Sequence, residues 1–211
     1  MKDLIIVGAG GFGRELLQWV KDINKIEEKW NILGFIDDNL QALQGYACDY
    51  TVIGTIRDWK PQANQEFAMA IANPDIKEKV SQLIKAKGGV FTSVIHPTAI
   101  IGEFNELGEG LVMYPYSRIT VNVRIGDFVT ILGNTSIGHD AEIMNYCTLS
   151  GSCHITRGVV LYEKVFLSCN VSVVPERKIG ASAYVCAGST VMTNIRSGNK
   201  VMGCPAKKVT F

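Results

Sequence analysis

From Ile125 to Leu149 the chain reads IGDFVT ILGNTS IGHDAE IMNYCT L, with an aliphatic residue heading every group of six. The register extends outward without a slip, through Ile119, Met113, Leu107 and Ile101 on one side and Ile155, Leu161, Leu167, Val173, Ile179, Val185 and Val191 on the other. Ile, Leu, Val and Met make up 61 of the 211 residues, so sixteen such positions in a row have a chance probability on the order of 10⁻⁸ even with six phases allowed. Four places after most of these heads stands a small or β-branched residue: Ser117, Val123, Val129, Thr135, Ala141, Cys147, Cys153, Val159, Val165, Val171, Ala183 and Ser189. A long and a compact side chain alternating toward one interior fit a narrow three-walled prism of short parallel strands. Each hexad makes one wall and three hexads make a coil, giving a little over five coils. Outward positions such as Val121, Phe128, Tyr146, Val160 and Phe166 leave apolar surface that one prism cannot cover, a motive for self-association.

The residues before this repeat read differently. Residues 3 to 10 form a buried strand that runs into Gly8-Ala9-Gly10-Gly11-Phe12-Gly13, and a helix follows with Leu16, Leu17, Val20 and Ile23 on one side. Strand, glycine turn and helix put backbone amides at a helix N-terminus, where a diphosphate can be met, and Gly10 allows close approach. A second strand, Ile32 to Ile36, ends in Asp37-Asp38, and a third, Glu66 to Ala72, ends in Asn73-Pro74 before another helix. Ligands of parallel sheets bind at the C-terminal strand ends, where these features converge. NAD binding with Asp37 on a ribose hydroxyl and a purely structural turn are both compatible with the fingerprint. Only one half of a dinucleotide fold is present, which favours a mononucleotide or nucleotide-diphosphate group. The expected organisation is an α/β Rossmann-like half domain over residues 1–92 and a parallel β-helix over residues 93–211, with His96 as a linker residue ahead of Pro97.

Composition narrows the function. With 21 basic against 20 acidic residues the net charge is +1, which supplies neither a basic face for nucleic acid nor a polybasic patch for lipid. The short apolar run at Leu4 to Val7 is too short for a signal peptide or a membrane span, so a cytoplasmic protein is expected. Six cysteines without a C-x-x-C pair and three histidines indicate no metal site and no disulfide framework.

Taken in order, Gly8-Ala9-Gly10-Gly11-Phe12-Gly13, Phe35-Ile36-Asp37-Asp38, Ala70-Ile71-Ala72-Asn73, Ile95-His96-Pro97, Ile137-Gly138-His139-Asp140 and Gly203-Cys204-Pro205-Ala206-Lys207 cover essentially the whole chain. The chain thereby resembles the hexapeptide-repeat sugar O/N-acyltransferases of the sialic acid O-acetyltransferase and bacillosamine-pathway N-acetyltransferase type. The resemblance implies a left-handed β-helix, a homotrimer with active sites between subunits, and acetyl transfer from acetyl-CoA to a sugar, most simply the amine of a nucleotide-linked amino sugar made into a surface glycan. A sialic acid type O-acetyltransferase and a non-catalytic nucleotide-sugar-binding protein are the alternatives.

His139 sits at a prism corner, and imidazole suits taking a proton from the attacking group near neutral pH. In the family the acid after it, here Asp140, holds the other ring nitrogen. The resemblance carries acetyl-CoA contacts to Thr148, Cys169 and Ala187, with Lys207 and Lys208 placed for CoA phosphates, and substrate contacts to Gly10, Gly11, Phe12, Asp37, Asp38 and Ala72. Direct attack is expected, because Cys147 and Cys153 point inward; His154 is read as a wall residue at a subunit seam or pantetheine groove. Thr148 stands where close relatives carry a second histidine, Leu132 where they carry an asparagine and Ser168 where glycine is common, which leaves O-acylation or a different sugar open.

Overall fold

A computed structural model describes residues 1–210 as two units packed against each other. In the first, β1 (Lys2–Val7), α1 (Gly11–Ile26), β2 (Trp30–Ile36), β3 (Val52–Gly54), β4 (Gln65–Met69), α2 (Pro74–Ala86) and β5 (Val90–Phe91) form a five-stranded parallel sheet of order β3-β2-β1-β4-β5 flanked by helices. The order reverses beside β1, so the turns after β1 and β4 border the crevice where such sheets take ligands. Two short strands, β3 and β5, go beyond the sequence reading. The strand expected over 66–72 stops at Met69, and residues 70–72 leave the sheet as a loop.

From Val94 onward, two- and three-residue strands stack into three walls. The first wall runs from Val94–Ile95 to Lys200–Met202, the second from Ile100–Ile101 to Thr190–Val191, and the third from Glu106–Leu107 to Lys178–Ile179. Equivalent strands pair in parallel at eighteen-residue spacing, as in Thr130↔Thr148 and Ser136↔His154. Six turns result, the first beginning at Val94, one hexad ahead of the register read from Ile101. All twelve of the compact inward residues named above are buried to 1% exposure or less. The long inward residues are buried from Met113 onward, whereas Leu107 in the open first turn is 40% exposed.

Each hexad turns its corner through one residue in the left-handed region, from Phe104 (φ 61°) through Asp140 (φ 60°) to Ser182 (φ 56°), with glycine taking the same place at 110, 158 and 188. The last coil is two residues short: Ile179 bridges Ile195 and Val185 pairs with Val201. A closing strand, Lys207–Lys208, then runs antiparallel against the first wall's end.

The α/β unit sits on the first wall and its two edges. One cluster joins Leu16, Val20 and Tyr114, with Trp19 edge-on to both Tyr114 and His96. Another joins Ile84, Phe91 and Phe128. Phe128, expected as outward apolar surface, is therefore covered by the chain itself, 4.9 Å from the Phe91 ring and stacked on Tyr146 at 5.6 Å. What stays uncovered lies elsewhere: Ile100, Phe104, Tyr116 and Val121 are exposed on the second wall or its edges.

Candidate active site

The turn after β1 is shaped by two glycines for different reasons. Gly8 adopts φ +102°, and a Cβ there would stand 2.9 Å from the Ala70 carbonyl oxygen; a Cβ on Gly13 would run into the carbonyl oxygen of Gly8. Gly8 lets the turn pass close to the loop after β4, and Gly13 lets α1 lie close on the sheet. Gly10 and Gly11 face open space instead, and Gly10 caps α1 without any side-chain bond. The first-turn amides lack intrahelical partners, and no acidic side chain stands in that turn, so they are free for an anion. Gly13→Ala is expected to cost about 1–3 kcal/mol of stability, because α1 must shift off β1. Gly10→Ala should leave the melting temperature unchanged and weaken only ligand binding, and comparing the two melts checks the distinction.

Asp37 braces this turn: its Oδ2 accepts from the Ala9 amide at 2.8 Å and its Oδ1 from the Asn39 amide at 2.8 Å. Asp38, exposed, accepts from the Arg57 amide at 3.2 Å. Beyond Arg57, two hollows of about 410 and 450 Å³ flank Trp59. Phe12 packs edge-on against Tyr114 at 5.7 Å. Gly10, Gly11, Phe12, Asp37, Asp38 and Ala72 thus cluster at the C-terminal ends of β1, β2 and β4, beside the first wall.

His139 and Asp140 form the corner between the second and third walls. His139 Nδ1 lies 2.6 Å from Asp140 Oδ2, with both side chains about half exposed. A carboxylate on Nδ1 favours that nitrogen as the donor and leaves Nε2 free to accept a hydrogen bond. A hollow of about 320 Å³ opens beside Asp140, bordered by Phe104, Asn122 and Arg124. Cys169 and Ala187 are exposed one coil apart on the edge between the first and second walls, where the Gly188 amide donates to the Cys169 carbonyl at 2.9 Å. Lys207 and Lys208 are exposed on the closing strand at the helix end. His154 lies on the second wall between the two edges, its Nδ1 3.2 Å from Ser136 Oγ.

Thr148 is a correction. It is fully buried under α2, where its hydroxyl donates to the Ala72 carbonyl at 2.7 Å and accepts from Lys77 Nζ at 2.9 Å. Its side chain has no surface to offer a cofactor and belongs to the junction between the units. Lys77 itself was not singled out in the sequence, although its spacing with Ser81 and Ile84 places it on the buried face of α2. Cys147 and Cys153 point inward: burial raises their thiols to about 12 and about 11, and each donates to a carbonyl, of Tyr162 and Ser168 respectively. Neither is a nucleophile in this setting. Among the described residues no helix is long and apolar enough to cross a membrane, and no group of three His, Cys, Asp or Glu side chains is placed to hold a metal.

A single chain does not assemble these parts into one site. In a three-walled prism the corner between the second and third walls lies opposite the first wall. His139 is therefore on the edge farthest from the wall that carries Gly10 and Ala72.

Fold and site together resemble those of sugar acyltransferases built on hexapeptide repeats. Residues 3–84 match the PglD N-terminal domain family. Over 97% of its length the chain is 28% identical to a GDP-perosamine N-acetyltransferase of Escherichia coli O157:H7, covering 95% of that protein. PerB from Caulobacter crescentus, solved with CoA and GDP-perosamine, superposes with a TM-score of 0.89 at 22% identity, over 100% of this chain and 98% of PerB. The acetyltransferase domain of PglB from Neisseria gonorrhoeae FA1090, solved with acetyl coenzyme A, gives 0.88 at 22% identity over 99% of each chain. The shared fold is a left-handed parallel β-helix preceded by an α/β unit. Residues 3–84 are thus similar to the PglD N-terminal domain, and the chain as a whole is similar to hexapeptide-repeat sugar acetyltransferases.

Proposed function

We propose that this protein transfers an acetyl group from acetyl-CoA to the amine of a nucleotide-linked amino sugar destined for a surface glycan, and that it works as a homotrimer. One observation carries the chemistry: an exposed histidine held by a carboxylate on Nδ1, in a fold whose relatives are N-acetyltransferases for such sugars. Acetyl-CoA supplies an activated thioester. The residues present fit it, with open, stacked backbone at Cys169 and Ala187 and two exposed lysines at the end of the helix.

His139 Nε2 accepts the proton from the acceptor nitrogen as the new C–N bond forms, and returns it to the departing sulfur as the thioester C–S bond breaks. Asp140 holds the ring in the tautomer that permits this and stabilises the transient imidazolium. The glycine turn and the α1 amides hold the diphosphate of the acceptor, while the loop after β4 sits beside the sugar.

Completing the site requires a neighbour. Its catalytic edge must meet the first chain's acceptor unit, and the uncovered residues Ile100, Phe104, Tyr116 and Val121 lie around the second wall, between the catalytic and cofactor edges. Association through that region brings the separated parts together and covers apolar surface.

The test is acetyl-CoA-dependent thiol release with UDP-, dTDP- and GDP-linked amino sugars and with free and CMP-linked sialic acid. Turnover with an amino-sugar nucleotide supports the proposal. Turnover with sialic acid alone would replace it by O-acetylation, and silence with retained acetyl-CoA binding would point to a non-catalytic role.

A further inference from the structure

Lys77 stands on the second turn of α2, fully buried where that helix lies on the first wall. Its Nζ donates to Thr130 Oγ1 at 3.0 Å, Thr148 Oγ1 at 2.9 Å and the Cys147 carbonyl at 3.1 Å, three acceptors for the three N–H bonds of an ammonium. Thr148 passes the link on to the Ala72 carbonyl. The Lys77 amide donates to the Asn73 carbonyl at 2.9 Å, and Asn73 Oδ1 caps α2 through the amides of Asp75 and Ile76. A closed ring of bonds thus joins the loop after β4, the start of α2 and two adjacent strands of the wall. The carboxylates nearest in sequence, Asp75 and Glu78, pair with Lys164 instead.

The column of outward residues on this wall reads Val94, Val112, Thr130, Thr148, Phe166 and Tyr184. Only at Thr130 and Thr148 do two neighbouring strands, about 4.8 Å apart, both present an aliphatic hydroxyl. Apolar contacts such as Phe91 on Phe128 tolerate sliding along the wall, whereas the Lys77 ammonium finds its acceptors at one height.

We propose that Lys77 is a positioning residue for the acceptor, setting through Thr148 the height at which the Ala70–Asn73 loop meets the β-helix. It rests on the reading of the N-terminal unit as the part that holds the nucleotide sugar. Burial lowers the lysine's pKa to about 7, so its ammonium form is held there at a cost in stability.

Lys77→Met and Thr148→Val test it, with Lys164→Ala as a control that removes only a surface link between the units. Three readouts are compared: amide exchange over residues 70–76, calorimetric binding of UDP, dTDP and GDP, and KM for acceptor and for acetyl-CoA. Both test variants are expected to speed exchange in the loop and raise acceptor KM by about tenfold, with acetyl-CoA KM within about twofold of wild type, and the double variant should be no worse than either single one. The control should move none of these. Unchanged exchange, an equal rise in both KM values, or a wild type that binds none of the three nucleoside diphosphates would overturn the proposal. Exchange and nucleotide binding need no turnover, so a wild type that binds a nucleotide yet fails to acetylate amino sugars would overturn the catalytic reading alone. Should Lys77→Met fail to fold, Thr148→Val, which keeps the side-chain volume, decides.

Discussion

His139→Ala is expected to lower acetyl transfer by about 10²–10⁴-fold while leaving acetyl-CoA binding and oligomeric state close to wild type. The ring is half exposed on a corner, so its removal opens no cavity in the core, and the backbone bond from the Gly158 amide to the His139 carbonyl at 3.0 Å does not depend on the side chain. Thiol-release kinetics together with sedimentation measure both halves of the expectation. A variant retaining most of its turnover would remove His139 from the mechanism. Asp140 calls for a particular substitution, because it holds φ 60°, where asparagine is tolerated and alanine is strained. Asp140→Asn therefore tests the carboxylate without disturbing the corner, and it should lower kcat while acceptor KM stays near wild type, since the Nδ1 partner acts on the proton transfer.

Lys77 gives the second large effect, on stability. Its folded-state pKa is depressed from 10.5 to about 7, with burial as the cause. Between those values the unfolded chain binds more protons at this site than the folded one, so stability rises with pH above about 7; below it both states carry the proton and the penalty is constant. From pH 7 to 8.5 the rise is on the order of 1–2 kcal/mol, or a few degrees in melting temperature for a chain of this size. Lys77→Met removes the titration. The difference between wild-type and variant melting temperatures should shift by that amount in favour of wild type across this window, and parallel melting curves would show that the ammonium is not desolvated. Taking the difference cancels titrations shared by both proteins, including the raised thiol of Cys153.

The β-helix was legible because its signal repeats. Sixteen aliphatic positions in one register leave little room for another fold, and Gly8 to Gly13 marked the first strand–helix turn equally well. What escaped is non-periodic. Phe128 looked like free surface since nothing local says that the α/β unit will lie over it. Thr148 looked like a cofactor contact by the family resemblance, but its neighbours Lys77 and Ala72 are more than seventy residues away in sequence. The short strand β3, Val52–Gly54, has too few residues to show alternation. His139 and Asp140 could be picked out as a pair through the family resemblance, whereas their separation from the acceptor unit becomes visible only when the walls are assembled.

The two-residue shortening of the last coil and the antiparallel Lys207–Lys208 strand bear on how the molecule avoids polymerising. Stacked parallel strands end in a row of unpaired amides and carbonyls, the template on which cross-β fibrils grow. Here the sixteen-residue spacing at Ile195 and Val201 throws the final rungs out of step with any regular coil that might continue them. The reversed strand occupies the first wall's end and presents two lysines outward, so a second molecule approaching end-on meets charge and a mismatched ladder. Removing residues 203–210 would uncover the last parallel strand of the first wall, leaving only the out-of-step rungs to oppose end-to-end growth.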